Sequence, residues 1–306
     1  MFEIVFLGTS ASAPSVHRGL PAQVIKHDEH RFLVDCGEGT QRQILKSGIG
    51  FKNLNKILIT HGHLDHILGL GGLISTLSRW EAINRIDIYG DSTALERVHD
   101  LIHGVVLRGA KPTLSINITP IESGQFFDAS DFTITAFPVY HRGGGSLGYV
   151  FEEKERRPFL TEKAEELGIP PGPWRRDLVE GKIAVLPDGR QIDPDLVMGV
   201  LKPGTKLVHI GDTGRIDKLV EICKDADCIV VEATYLQSEV ELAKKYSHLT
   251  AHMAAELALR ANASQLILTH ISRRYREKDI IREAKEVFKD VSIARDMDVY
   301  QVKRGG

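Results

Sequence analysis

The chain has 306 residues, enough for one large domain or two small ones around a sizeable core. Its 39 Lys and Arg face 41 Asp and Glu, which excludes a global polycation, so any nucleic acid must be met by local basic patches. No apolar run approaches the roughly 18 residues of a membrane span, and residues 1–6 lack the basic flank and long apolar stretch of a signal peptide.

Residues 3–7 read as a strand ending in a small-residue loop, 8–14, that lets backbone come close to a site. Residues 24–26 and 31–34 suggest a hairpin around Asp28-Glu29, and residues 41–46 a helix. Between them, Asp35 ends a strand and either orients a ligand histidine or caps a turn. Cys36, Cys223 and Cys228 are odd in number and too scattered for a disulfide framework. They read as buried thiols in a reducing cytoplasm, although spacing alone leaves Cys223 and Cys228 open as metal ligands.

The β-branched run 57–60 reads as a buried strand leading into His61-Gly62-His63-Leu64-Asp65-His66, with a helix over 67–77. His61 and His63, two apart on an extended segment, can project their imidazoles the same way and grip one metal. Asp65 and His66 lie where the chain turns into the helix, so they can face a second. Neutral imidazoles with a hard carboxylate suit zinc, and manganese or iron can substitute. Beyond a strand at 86–89, the helix over 93–106 places His99 and His103 four apart on one face. No strand end or carboxylate supports a metal there, so they read as surface or core histidines.

The second half repeats one pattern. Strand-like runs 132–140, 206–211 and 265–269 end on His141, Asp212 and His270, and 228–231 ends on Glu232. Strand after strand carries one metal-competent side chain to its carboxyl edge, which argues for a single site built by converging strands. His209 lies inside its run and points to the core. Thr250 caps a helix over 251–260, and Arg273 follows His270 closely enough to reach an anionic substrate. Residues 152–182 interrupt strand patterns at 146–151 and 183–186; they are highly charged, with Pro170-Pro171-Gly172-Pro173 at their centre. Lys154, Arg156, Arg157, Arg175, Arg176 and Lys182 lie on this segment with Trp174, a protruding basic arm suited to a phosphate backbone. No domain linker interrupts the elements, which run through to 299–302.

The HxHxDH loop followed by His141, Asp212 and His270 resembles the metallo-β-lactamase superfamily. That resemblance implies an α/β fold, a four-layer αβ/βα sandwich forming one domain over 1–306, with the arm 152–182 inserted. Leu7-Gly8-Thr9, residues 35–41 (DCGEGTQ), Gly211-Asp212-Thr213, His248-Leu249-Thr250 and residues 270–275 (HISRRY) are more specifically similar to the tRNase Z family. So is the arm, with its Gly168-Ile169-Pro170-Pro171-Gly172-Pro173, and the likeness covers essentially the whole chain at the length of the family's short form. Two departures stand out: the family's His-Glu-Ala-Thr reads Val231-Glu232-Ala233-Thr234, and Leu249 replaces a serine.

The resemblance implies two zinc ions per subunit, one held by His61, His63 and His141, the other by Asp65, His66 and His270, with Asp212 bridging. It implies a zinc-dependent endoribonuclease that removes the 3′ trailer of precursor tRNA, leaving a tRNA 3′-hydroxyl and a 5′-phosphate on the trailer. Asp65 receives a proton from water, His248 oriented by Glu232 protonates the leaving oxygen, and Arg273 steadies the phosphoryl charge. Lys154, Arg156, Arg157, Gly172, Pro173, Arg175 and Arg176 belong to the arm that binds the tRNA elbow across a cytoplasmic homodimer. An insertion so charged is expected to have no core to pack into and to need a partner. The alternative on the same fold is a small-molecule phosphodiesterase or other metallo-hydrolase, for which such an arm has no use. A non-catalytic metal-bound RNA-binding protein is a third reading, opposed by the complete ligand set.

Overall fold

The computed structural model describes residues 1–81 and 83–305. The chain forms two compact units, one of residues 1–152 with 205–306 and the other of residues 153–204.

In the larger unit, the first half lays down β1 (Glu3–Gly8), β2 (Ala22–His27), β3 (His30–Val34), β4 (Lys56–Leu58), β5 (Arg85–Gly90) and β6 (Ser115–Pro120). Next come β7 (Gly124–Asp128), β8 (Phe132–Pro138) and β9 (Leu147–Glu153); after β10 (Ala184–Val185) and β11 (Gln191–Ile192) of the smaller unit follow β12 (Lys206–His209), β13 (Cys228–Glu232), β14 (Leu266–Thr269), β15 (Val291–Ile293) and β16 (Val299–Gln301). The larger unit holds two seven-stranded sheets, ordered β16-β1-β2-β3-β4-β5-β6 and β15-β14-β13-β12-β9-β8-β7. β3 to β6 run parallel, and so do β12 to β15. Parallel strands are buried on both faces and read as near-continuous apolar runs, which is how 57–60 and 265–269 were legible.

The two sheets face each other across a core of Phe2, Ile4, Phe32, Tyr149, Phe151, Val230 and Ile267, drawn from both. On its other face the first sheet packs against the helices Thr40–Ser47, Gly69–Trp80 and Ser92–His99 through Ile44, Leu70, Ile74 and Val98. The second packs in the same way against Leu219–Ile222, Ala251–Arg260 and Glu277–Val287, through Leu219, Leu257, Ile280 and Ala284. Helix, sheet, sheet, helix is the four-layer sandwich expected from the resemblance.

Local differences have physical reasons. The metal-loop helix starts earlier than residue 67: Leu64–Ile67 is a short turn, with His63 extended at its start, and Gly69–Trp80 continues from it. A Cβ at Gly69 would lie 2.0 Å from the Gly37 carbonyl oxygen, so only glycine lets this turn sit against that loop. Residues 93–106 divide into an α-helix Ser92–His99 and a wider π-helical stretch Asp100–Leu107; His99 ends the first, His103 lies on the second, and both are exposed. Cys36, Cys223 and Cys228 are buried free thiols. None belongs to any cluster able to hold a metal among the described residues, which closes the option left open for Cys223 and Cys228.

The smaller unit corrects the reading of the arm in three ways. It runs from Glu153 to Gly204, and the 183–186 pattern belongs to it as β10 of a hairpin with β11. It does have a core, formed by Ala164, Ile169, Leu178, Ala184, Leu186, Ile192 and Val197, with Phe159 and Trp174 packed on it. Nor is it net basic: between residues 153 and 204, nine Lys and Arg meet ten Asp and Glu.

Candidate metal centre

The centre is assembled at the carboxyl ends of the parallel strands. β4 leads through Ile59 and Thr60 to His61 and His63; Asp65 and His66 sit in the turn Leu64–Ile67. His141 lies on the loop between β8 and β9, beyond Pro138, which lacks an N–H and ends the ladder. Asp212 follows β12, Glu232 is the last residue of β13, and His270 follows β14 with a left-handed φ of 55°.

The Asp212 carboxylate is the hub. Its Oδ2 lies 3.8 Å from His61 Nε2, 3.6 Å from His66 Nε2, 4.0 Å from His141 Nε2 and 3.4 Å from His270 Nε2. Asp65 Oδ2 sits 3.8 Å from His66 Nε2 and 3.7 Å from His270 Nε2. His63 Nδ1 closes the other side, 2.9 Å from His61 Nε2 and 3.3 Å from His141 Nε2. These atoms form two neighbouring clusters able to hold a metal, His61, His63, His141 and Asp212 in one and Asp65, His66 and His270 in the other, and Asp212 also groups with His248 and His270. Imidazole nitrogens and carboxylate oxygens converging this closely make a donor set that suits a common metal ion. The Nε2 atoms of His66 and His270 are also buried without a hydrogen-bond partner, a costly state that a metal relieves.

A surrounding shell fixes the imidazoles. Asp35, buried with a left-handed φ of 58°, accepts from Thr60 N at 2.8 Å and Thr60 Oγ1 at 2.7 Å, and lies 2.7 Å from His66 Nδ1. Its role is therefore to orient a histidine. His141 Nδ1 meets the Ser247 carbonyl at 2.8 Å, and His270 Nδ1 meets Thr234 Oγ1 at 2.9 Å. Thr234 also donates to Glu232 Oε2 at 2.5 Å, and Glu232 Oε1 lies 2.8 Å from His248 Nδ1. Thr213 N donates to Glu232 as well, at 2.8 Å. The small-residue loop does approach the site: Ser12 N donates to Asp65 Oδ2 at 3.1 Å.

Charge follows from this packing. Burial, reinforced by neighbouring histidines, holds His61 well below its ordinary pKa and His63 at about 4, the neutral forms that ligate. Burial also works against charge on His248, but the carboxylate and hydrogen bond of Glu232 outweigh it and push that group up to about 9. His209 is the core residue expected, buried with Nε2 3.1 Å from Gln23 Oε1 and lowered to about 4 by burial.

All seven expected ligand residues converge, together with Glu232 and His248. Arg273 is exposed on the loop after His270, and the arm residues lie in the other compact unit. Sequence reasoning gave no role to Thr60 or Thr234; hydroxyls carry no spacing signal, and only their places beside His61 and Glu232 hint at one.

Two facing sheets with a His/Asp centre at their strand ends define a metallo-hydrolase of the β-lactamase superfamily, and residues 184–271 match the model of the β-lactamase superfamily domain. Residues 2–162 match the model described as anti-Pycsar protein Apyc1. The chain is 44% identical to the ribonuclease Z of Bradyrhizobium diazoefficiens, over 97% of this chain and 99% of that one. It is 40% identical to the ribonuclease Z of Archaeoglobus fulgidus, over 97% and 96%. The crystal structure of human tRNase Z, short form, matches with a TM-score of 0.70 at 26% identity, over 98% of this chain and 99% of that one. The chain belongs to the ribonuclease Z family.

Proposed function

We propose that this centre cuts the 3′ trailer from precursor tRNA with two zinc ions, leaving a 3′-hydroxyl on the tRNA and a 5′-phosphate on the trailer. Endoribonuclease activity at tRNA 3′ ends is what membership of the family assigns. The observation that carries the reading is the pair of clusters around Asp212 with the His248–Glu232 dyad beside them. His61, His63 and His141 would hold one ion, Asp65, His66 and His270 the other, and Asp212 both. Three imidazoles with a carboxylate suit zinc, and manganese or iron can substitute. Two such ions supply a water of lowered pKa and positive charge facing the phosphoryl oxygens.

The chain's own residues do the rest. Asp65 accepts the proton of the attacking water. His248, held by Glu232 through Nδ1, presents Nε2 and gives its proton to the departing 3′ oxygen. Arg273 adds a guanidinium where phosphoryl charge grows. Val231 stands where the family has a histidine, and Glu232 is held here by Thr213 N and Thr234 Oγ1. Lys154, Arg156, Arg157, Gly172, Pro173, Arg175 and Arg176 of the arm engage the tRNA elbow, by shape and backbone more than by sequence. The arm serves the partner subunit's substrate in a homodimer, and the enzyme meets its precursor in the cytoplasm. Among the described residues no helix is long and apolar enough to cross a membrane.

Incubation with a 3′-extended pre-tRNA, with and without chelator, tests this. One metal-dependent cut after the last tRNA nucleotide is expected. No cut there, with metal-dependent hydrolysis of bis(p-nitrophenyl) phosphate, moves the function to small phosphodiesters.

A further inference from the structure

Beside the metal centre stands an exposed stack that the chemistry above does not use. Tyr140 immediately precedes His141, and the residue is 52% exposed. Arg215, three residues after Asp212, lays its guanidinium carbon 4.0 Å from that ring's centroid. The two segments are clipped together, since Gly214 N donates to the Tyr140 carbonyl at 2.7 Å and Thr213 Oγ1 to the same oxygen at 3.4 Å. The stack is thus built from the same two segments that carry His141 and Asp212. Next to it opens a cavity of about 320 Å³, with apolar walls including Val139 and Leu219 and with Asp217 and Lys218 also lining it. On the other flank of His141, Arg142 lies 5.4 Å and Lys245 5.5 Å from the ring of Tyr246, which leads to Ser247 and His248.

An exposed guanidinium placed over an aromatic ring gains about 0.5–1 kcal/mol from the pairing itself, so the arrangement is weakly explained by stability. It is well explained by a flat partner. Unpaired nucleotides are recognised by splaying their bases onto aromatic rings and Arg planes, while the cation neutralises the neighbouring phosphate. The cavity is at the small end of ligand pockets, room for one base and too small for a duplex. Tyr140 and His141 are consecutive, with Cα atoms about 3.8 Å apart, so a base lodged against Tyr140 belongs to a nucleotide within one or two of the phosphate at the centre.

We propose that Tyr140 and Arg215, with the cavity beside them, bind an unpaired base of the RNA next to the scissile phosphate and thereby position that phosphate. This rests on the endonuclease reading and names how the same site grips single-stranded substrate. Stacking tolerates any base, so the pair fixes where the RNA is cut more than which sequence is cut.

The test is a cycle between protein and RNA. Pre-tRNAs carrying one abasic nucleotide, at either of the two positions on each side of the cut, are cleaved by the natural chain and by Tyr140→Ala, Arg215→Ala and Tyr140→Phe. At one position the abasic substrate should lose roughly 5- to 150-fold in kcat/KM, the effect of one lost stack. Tyr140→Ala and Arg215→Ala should lose a similar factor on intact RNA and little more on that abasic RNA, whereas Tyr140→Phe keeps the natural behaviour on both. Losses that simply multiply at every position overturn the proposal, as does a Tyr140→Phe as impaired as Tyr140→Ala. Failure of the natural chain to cut intact pre-tRNA is a different result and removes the endonuclease reading itself. Should Tyr140→Ala lose its fold, Arg215→Ala, which alters only an exposed side chain, completes the cycle.

Discussion

Replacing Asp35 by asparagine isolates the electrostatics of the centre from its shape. The two side chains are nearly isosteric, and asparagine tolerates the left-handed φ of 58° that position 35 adopts, so the backbone need not move. The hydrogen bonds do change. Asp35 accepts from Thr60 N through Oδ1, and both Thr60 Oγ1 and His66 Nδ1 meet Oδ2. An amide has only one oxygen. If its NH₂ faces His66, Nδ1 must become the acceptor and the ring proton moves to Nε2, the atom that faces Asp65 and Asp212. A protonated Nε2 cannot ligate. If the amide flips, its NH₂ meets the Thr60 N–H and a buried donor is left unsatisfied, at a cost of about 1–3 kcal/mol.

The first arrangement weakens one site selectively, whereas the second costs stability at Thr60. Loss of a carboxylate behind a ligating imidazole typically lowers metal affinity or activity 10- to 100-fold, about 1.4–2.8 kcal/mol. We expect Asp35→Asn to bind one of its two ions that much more weakly, measured by competition with a chelating dye, and to recover cleavage at raised zinc. Equal weakening of both ions, or unchanged affinity for each, would refute the tautomer argument.

Asp212→Ala should remove the shared carboxylate and with it both ions and cleavage; elemental analysis showing two retained metals would contradict the bridging role. Tyr149 is fully buried and donates to the Ile59 carbonyl at 2.6 Å, just behind the metal loop. Tyr149→Phe leaves that oxygen unpaired and should cost about 1–3 kcal/mol, seen as a lower melting temperature, and an unchanged one would show the bond to be incidental. Leu178→Ala truncates the small core of the 153–204 unit and should weaken it by about 2–5 kcal/mol, measured as faster proteolysis within those residues; equal rates would mean that something else orders the arm. Burial pushes the Cys223 thiol up to about 12 and those of Cys36 and Cys228 higher still. All three should resist alkylation at pH 8 until the chain is denatured, and a single fast-reacting thiol would speak against this packing.

The parts of the fold that were legible share one cause. Where a parallel strand is buried on both faces its residues are almost all apolar, and the first ionisable residue beyond it, such as His270 after 266–269, is conspicuous. Where a strand lies at a sheet edge the contrast fades. Ser115–Pro120 and Gly124–Asp128 are only partly buried, and their mixed composition gave no strand pattern. The helix Glu277–Val287 was missed for a related reason: only Ile280 and Ala284 of its eleven residues are buried, a narrow apolar stripe among charges. Asp35 was ambiguous because the choice between capping a turn and holding His66 depends on residues 25 and 31 positions away.

The arm shows how far charge alone can mislead. Sequence inspection weighs every Arg and Lys as a cation offered to phosphate. Folding employs several of them within the arm. Arg157 bonds to Asp195 and to the Gly199 and Met198 carbonyls, and Arg175 to the carbonyls of Ile169 and Pro170. Arg176 and Lys182 share Glu180. Four of the six cations singled out therefore have partners inside the arm, and its acids outnumber its bases by one. Such a unit attracts RNA weakly at long range. What it can offer is a hydrogen-bonded surface, the Ile169-Pro170 turn held by Arg175 and by Trp174 Nε1 at 2.5 Å from the Pro170 carbonyl. In the proposed contact with the tRNA elbow, such a surface would act through fit to the A-form backbone, with Arg157, Arg175 and Arg176 both maintaining the fit and facing the phosphates.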